Sequence, residues 1–338
     1  MSVLLPNHII QEKIFSFEPG QFEQMALSVF RYQYEYNITY RNYCNFRNVI
    51  PESVTRLEGI PFLPIRQFKK MLIKTGEYEP EHIFESSGTT GSIPSRHAVR
   101  SLNLYKRSFR QTFEQFYGSI NSWCVIALLP SYLERQHSSL VYMADDLIQN
   151  SNHPDSGFYL YNHDDLTATL LMQEKAKQKT LLIGVSFALL DFAAQFREKL
   201  THTIVMETGG MKGRKKEISK QALHQHLKDA WSLDQIHSEY GMTELMSQAY
   251  STGDGIFQSP KQLRILVRSE DDPTTILVPQ ANTGNGLRGG INIIDLHNID
   301  SCSFIETEDY GTLYSDGRFS IEGRMENSDL RGCGLMIS

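Results

Sequence analysis

The 338 residues carry 33 Lys+Arg against 39 Asp+Glu, a formal net charge of −6, which excludes a general nucleic-acid binder with its basic stripe. Hydrophobic residues at 40% against 21% charged exclude a disordered tail. No apolar run approaches the ~18–20 residues that span a bilayer, so no membrane span is expected.

At roughly 150 residues per domain, the length predicts about two domains, or one large α/β domain with an appendage. The start, Met1-Ser2-Val3-Leu4-Leu5-Pro6, lacks a basic n-region and is broken by Pro6, so no secretory leader is expected. Residues 1–80 read as a mostly helical N-terminal segment. Met25, Val29, Phe30 and Tyr34 have helical spacing within Phe22–Asn37. Pro61 and Pro64 then force an extended stretch over Ile60–Ile65. Residues 81–100 hold a small-residue loop. Leu102 to Phe116 reads as a helix with Tyr105, Phe109 and Phe113 on one side.

Strands and helices then alternate through an α/β core, residues 81–250. Trp123–Leu129, Leu181–Val185 and Thr203–Met206 are continuous apolar runs, as expected for strands covered on both faces. Helices are expected from Ser186 to about Leu200 and around Glu217–Trp231, and a fourth short strand over Gln235–Tyr240. This rhythm predicts a mainly parallel sheet packed with helices. Residues 251–322 become short, β-rich and turn-punctuated: Leu263–Val267, Thr275–Val278, Ile291–Asp295, Thr312–Tyr314 and Arg318–Ile321 read as an antiparallel or barrel-like subdomain. Residues 323–338 read as a mobile tail.

Three local patterns carry chemistry. In Ser86-Ser87-Gly88-Thr89-Thr90-Gly91-Ser92-Ile93-Pro94-Ser95, four hydroxyls and two glycines fall within six residues, which suits a cradle for phosphate oxygens or a plain surface turn. It is not a GxxxxGK[ST] loop, because no lysine follows Gly91. Tyr240-Gly241-Met242-Thr243-Glu244 ends a predicted strand with a stacking ring, a close-approach glycine, a hydroxyl and a carboxylate. These suit a base, a phosphate and Mg²⁺, or an ordinary capped turn. Glu306, Glu308 and Asp309 in Ile305–Gly311 suit a turn that grips ribose hydroxyls, or a solvated acidic turn.

Taken together and in this order, these motifs resemble the adenylate-forming superfamily of acyl-CoA synthetases, luciferases and peptide-synthetase adenylation domains, over about residues 60–338. Its phosphate loop resembles Ser86–Ser95. Its Tyr-Gly-x-Thr-Glu motif matches Tyr240–Glu244, and its ribose-binding aspartate resembles Asp309, with Glu308 where glycine is usual. Gly209-Gly210 resembles its adenine-lining segment, and Gly323-Arg324 the Gly-Arg that precedes its hinge. The superfamily's C-terminal lid domain and its lysine find no counterpart after Arg324, and Lys261 is the last lysine. That truncation resembles the LuxE acyl-protein synthetases, as do Ser95-Arg96-His97, Glu207–Gly213 and the tail Leu330–Met336. In that family a cysteine near the C-terminus takes the acyl group as a thioester; by position it is Cys333.

The resemblance implies ATP and Mg²⁺ as cofactors, a fatty acid or other carboxylate as substrate, an acyl-CoA-reductase-like partner and a cytoplasmic ligase. Thr89 and Thr90 would hold phosphates, Thr243 and Glu244 the α-phosphate and Mg²⁺, Tyr240 the adenine, and Asp309 and Arg324 the ribose. Cys333 lies between Gly332 and Gly334, and reads as the acyl acceptor or as an incidental tail thiol. Cys124 lies in an apolar strand and reads as core, and no CxxC spacing points to zinc or a disulfide framework. Lys212, Arg214, Lys215 and Lys216 form a basic cluster that would guide triphosphate or simply be solvated; His137 would touch the substrate carboxyl or sit exposed in a loop. Two other functions fit the same motifs: a ligase that hands acyl-AMP to CoA or a carrier protein, and a nucleotide- or acyl-binding subunit without catalysis.

Overall fold

The computed structural model describes residues 6–87, 93–129, 137–209, 218–278 and 286–325. Their helices are α1 (Asn7–Ser16), α2 (Phe22–Tyr36), α3 (Ile38–Phe46), α4 (Gln67–Lys70), α5 (Leu102–Tyr117), α6 (Ser139–Ser151), α7 (His163–Ala176), α8 (Ser186–Gln195) and α9 (Lys220–Trp231). Their strands are β1 (Leu63–Pro64), β2 (His82–Glu85), β3 (Arg96–Val99), β4 (Cys124–Leu128), β5 (Gly157–Phe158), β6 (Thr180–Val185) and β7 (Thr203–Thr208). They continue as β8 (His237–Tyr240), β9 (Ala249–Ser251), β10 (Ile256–Gln258), β11 (Leu263–Arg268), β12 (Leu287–Asp295), β13 (Phe304–Leu313) and β14 (Phe319–Arg324).

One mixed sheet runs through the molecule in the order β11-β12-β13-β14-β10-β9-β8-β7-β6-β4-β5, with β1 added parallel to β13. Strands β5, β4, β6, β7 and β8 are mutually parallel. At the β8–β9 pair the sheet turns antiparallel and stays so to its β11 edge. Strands β2 and β3 form a separate hairpin. Every residue of β4 and β6 is buried, which is why both read as unbroken apolar runs.

Two cores lie along the sheet. Phe109, Phe113, Ile126, Leu182, Phe192, Leu227 and Trp231 join α5, α8 and α9 to the parallel half. Phe30, Tyr40, Phe68, Ile265, Ile293 and Phe304 join α2, α3 and α4 to the antiparallel half. Each buried large apolar side chain contributes about 1.5–3 kcal/mol. Buried amides pin the N-terminal helices there: Gln33 Nε2 donates to the carbonyls of Asn298 and Ile299 (both 3.0 Å), and Asn37 Nδ2 to that of Ser301 (2.8 Å).

Two segments differ from the sequence-based expectation. Thr275–Val278 makes only an isolated bridge, Ile276 to Arg268. Asp272 accepts from the Thr274 amide and from both threonine hydroxyls, and this side-chain-built turn takes up the segment. Ile305–Gly311 is the middle of β13 rather than a turn. It is held extended by ladders to β12 and β14 on its two sides.

Candidate nucleotide-binding site

In open α/β sheets a ligand crevice lies beyond the carboxyl ends of the parallel strands, where the strand order reverses. Here β4 is flanked by β5 on one side and β6 on the other, so the reversal falls at β4. Beyond the neighbouring strand ends stand Ser186, Gly209 and Gly241. Gly209 has φ +65°, a left-handed conformation natural to glycine, and its carbonyl accepts from Ser186 Oγ at 2.7 Å. A Cβ on Gly241 would meet Glu239 Oε1 at 2.4 Å, so any side chain there requires that carboxyl to shift.

Two buried carboxyls underlie these ends and titrate in opposite directions. Burial penalises the Glu207 carboxylate, but the charge of Lys220, with Nζ at 2.8 Å, and hydrogen bonds from His224, Lys220 and Ser238 together outweigh this and hold its pKa at about 2. Burial pushes Glu239 up to about 7, despite a hydrogen bond donated by Thr208 Oγ1, and the neighbouring Glu207 charge adds to the rise.

At the end of β8, Tyr240 packs against Phe257 and Phe319, with ring centroids at 5.7 and 5.6 Å. Its hydroxyl donates to Asp309 Oδ2 at 2.7 Å. Burial, then Asp309, raise the phenol pKa, so it stays protonated as a donor. Arg324 is the ladder partner of Asp309 on β14, its exposed guanidinium 4.0 Å from Oδ1. Burial raises the Asp309 pKa, and Tyr240 and Arg324 partly offset this.

The turn after β8 meets the hairpin. Ser86 donates its amide to the Ser95 carbonyl (3.0 Å), and the Ser95 amide donates to Ser86 Oγ (2.9 Å), closing the base of the Ser86–Ser95 loop. Glu244 is buried and raised by burial; a hydrogen bond from Ser95 and the charges of Lys69 and Arg324 partly offset this. His97, on β3, places Nδ1 2.8 Å from the Thr243 carbonyl and Nε2 2.9 Å from Asn298 Oδ1. Asn298 Nδ2 donates to the Glu244 carbonyl at 2.7 Å.

Of the residues singled out in the sequence, Tyr240, Asp309 and Arg324 form one cluster, and Thr243, Glu244, Ser86 and Ser87 gather around the hairpin base. His137 is exposed; its carbonyl accepts from the Glu85 amide at 2.9 Å, and its ring lies 5.4 Å from that of His82. Gly88, Thr89, Thr90, Gly91, Ser92, Gly210, the Lys212–Lys216 cluster and Cys333 lie outside the described residues. Sequence reasoning named His97 only within Ser95-Arg96-His97 and gave it no role, and it did not single out Asn298, because the partners of both lie far away along the chain. It also missed Lys220, which stands at the start of α9.

The donor set fits the cofactors. Among the described residues no group of three or more His, Cys, Asp or Glu forms a metal cage. Mg²⁺ in phosphate sites needs only one or two carboxylates beside the phosphate oxygens, and Glu244 is such a carboxylate with the Thr243 hydroxyl next to it. Asp309 supplies acceptors suited to ribose hydroxyls, and Gly241 permits close backbone approach.

No family model matches the chain. The fold is that of the large domain of adenylate-forming enzymes: ATP-bound MatB from Rhodopseudomonas palustris superposes at a TM-score of 0.53 and 16% identity, covering 73% of this chain and 49% of that one. Apo MatB from the same organism superposes at 0.51 and 15% identity, covering 72% and 48%. In sequence the chain is similar to the LuxE type. It is 36% identical over 70 residues to a long-chain-fatty-acid–luciferin-component ligase of Photorhabdus luminescens, covering 20% of this chain and 60% of the relative. The chain thus spans about half the length of these solved structures and 60% of its curated relative. No helix among the described residues is long and apolar enough to cross a membrane.

Proposed function

We propose that the chain is an AMP-forming, ATP-dependent acyl-protein synthetase. The observation that carries this reading is the Tyr240–Asp309 hydrogen bond, which sets a ribose-type acceptor beside the Gly241–Glu244 segment at the ligand edge of the sheet. A carboxylate oxygen attacks the α-phosphorus of ATP, the bond to the bridging oxygen of pyrophosphate breaks, and acyl-AMP forms. The Ser86–Ser95 loop holds the β- and γ-phosphates, so that attack occurs between oriented groups. Thr243 positions the α-phosphate, Tyr240 flanks adenine, and Asp309 with Arg324 holds the ribose. Gly209 and Gly210 line the adenine, and His137 meets the substrate carboxyl. Glu244 would hold Mg²⁺, whose charge offsets that of the triphosphate when bound.

The Cys333 thiolate then attacks the acyl carbonyl carbon, AMP leaves with the electron pair of the broken C–O bond, and the thiol proton goes to water. Cys44, Cys124 and Cys302 are buried, and burial pushes their thiols up, to about 12 for Cys44 and about 11 for Cys124. Such thiols offer almost no thiolate at pH 7. The similarity to the Photorhabdus ligase supports a long-chain fatty acid as substrate; delivery to an acyl-reducing partner rests on the LuxE resemblance of the sequence alone.

The test is labelling with ATP and radioactive fatty acid, followed by neutral hydroxylamine. Wild type carries a hydroxylamine-labile label on the C-terminal peptide, whereas Cys333→Ser makes acyl-AMP and carries none. A label that persists in the variant, or maps to Cys44, Cys124 or Cys302, overturns the acceptor. Adenylation without any label assigns the acyl group to CoA or a carrier protein instead. Absence of carboxylate-dependent pyrophosphate exchange leaves a binding subunit.

A further inference from the structure

We infer that His97 is the positioning residue that locks the Thr243–Glu244 turn to β3, so that Ser95, at the base of the Ser86–Ser95 loop, and the metal-side groups keep one geometry. The inference rests on the adenylate-forming reading above and assigns a role to a residue for which that reading gives none.

His97 is 1% exposed and lies two residues beyond Ser95. Its ring meets Phe68 of α4 nearly edge-on, centroids 6.0 Å apart and planes at 81°. Nδ1 faces the Thr243 carbonyl, 146 positions away in sequence, and Nε2 faces Asn298, 201 positions away. Asn298 in turn holds the Glu244 carbonyl. The two anchored carbonyls are consecutive, so the peptide between them is gripped from both sides, and with it the directions in which the Thr243 hydroxyl and Glu244 carboxyl leave the chain. A carbonyl only accepts, so Nδ1–H is the donor to Thr243; burial keeps the ring neutral, so Nε2 is then an acceptor beside Asn298 Oδ1, itself an acceptor, and the Nδ1–Thr243 bond is the one by which His97 holds the turn. Asn298 is itself fixed by the turn Leu296–Asn298, which starts at Asp295; Asp295 accepts from the amides of Met246, Ser247 and His297. The clamp therefore joins three segments that have no ladder contact with one another: β3, the turn after β8 and the turn after β12.

A histidine used only for filling would leave its nitrogens to any polar neighbour. Here Nδ1–H donates to the backbone of the turn that bears the proposed phosphate and metal groups, and Asn298 holds the next carbonyl of that turn. A reacting geometry misplaced by about 1 Å costs on the order of 10²-fold in rate. Loss of an outer partner of a metal-site residue typically costs about 10–100-fold.

The experiment is ATP–pyrophosphate exchange by the full chain with octanoate, myristate or palmitate, comparing wild type with His97→Asn, His97→Gln and His97→Leu, and normalising each rate to folded protein from its thermal midpoint. An asparagine amide nitrogen reaches the Nδ1 position and still donates to Thr243; a glutamine amide reaches only the Nε2 position. His97→Leu is expected to lower kcat about 10–100-fold with an unchanged KM for the fatty acid. His97→Asn is expected to recover most of that loss and His97→Gln little of it. Equal rates per folded molecule in the Asn and Gln variants, or a kcat within twofold of wild type in the Leu variant, overturn the inference while the adenylate-forming reading stands. Should His97→Leu fail to fold, the Asn and Gln pair decides. Absence of exchange in wild type with all three acids overturns the adenylate-forming reading, and the inference falls with it.

Discussion

The Tyr240 hydroxyl and the Asp309 carboxylate meet at 2.7 Å, 69 positions apart in sequence, and their bond joins the last residue of the parallel half to the middle of β13. Tyr240→Phe removes the donor and leaves a half-buried carboxyl one partner short. Hydrogen bonds to charged groups contribute about 1.5–3 kcal/mol, so ATP affinity is expected to fall roughly ten- to a hundredfold. Asp309→Ala is expected to weaken ATP at least as much, with kcat at saturating ATP little changed. Calorimetric titration with ATP decides; an unaltered Kd in both variants removes this pair from the nucleotide site.

Thr89→Ala and Thr90→Ala are expected to slow adenylate formation by about 10²–10³, the loss seen when one donor to a charged transition state is removed. The expected thermal midpoint is the wild-type value, since the role proposed for these hydroxyls is toward phosphate. Normal pyrophosphate exchange in both variants would exclude the loop from the mechanism.

Gly241→Ala places a methyl group 2.4 Å from Glu239 Oε1. Glu239 is buried and its other oxygen, Oε2, accepts from Thr208 Oγ1, so moving Oε1 aside disturbs that bond. Overpacking of this kind costs about 1–3 kcal/mol. Urea denaturation should show a lower midpoint with an unchanged slope, together with a raised KM for ATP. A variant as stable as wild type would show that the strand end yields without cost.

Glu239 titrates at about 7 in the folded protein against an ordinary value of 4.5. The folded state therefore holds a proton between these limits that the unfolded state has released, and this carboxyl's contribution to stability falls as pH rises from about 4.5 to 7. Glu239→Gln keeps the shape and removes that titration. Relative to wild type, the variant is expected to gain stability steadily across this window and to level off above it, at about 1.4 kcal/mol per unit of difference at most. Chemical denaturation of both proteins at several pH values checks this; a constant difference from pH 4.5 to 7 contradicts the buried-carboxyl account.

The parallel strands were legible because burial on both faces leaves an unbroken apolar signature in β4 and β6. The Tyr240–Glu244 motif was legible because its chemistry is local: a ring, a glycine, a hydroxyl and a carboxylate on consecutive residues. Ile305–Gly311 was misread as a turn because its carboxylates and Gly311 imitate one. What holds it extended is pairing on both sides, and a Cβ on Gly311 would meet the Ser320 carbonyl at 2.0 Å. Thr275–Val278 failed the other way: its β-branched residues suit a strand, and the Asp272 side chain builds a turn first.

By itself the sequence determined the periodic elements, the order of the motifs and the types of group they bring, since period, turn chemistry and residue type are properties of neighbours along the chain. Only the tertiary structure decided that the N-terminal helices pack on the antiparallel half, that Lys220 helps hold Glu207 ionised, and that His97 and Asn298 grip the Thr243–Glu244 turn. Those contacts join residues 13 to about 270 positions apart. No local pattern encodes them, because they form only when one sheet has brought its two halves together and the cost of burying a polar group forces each to find its partner there.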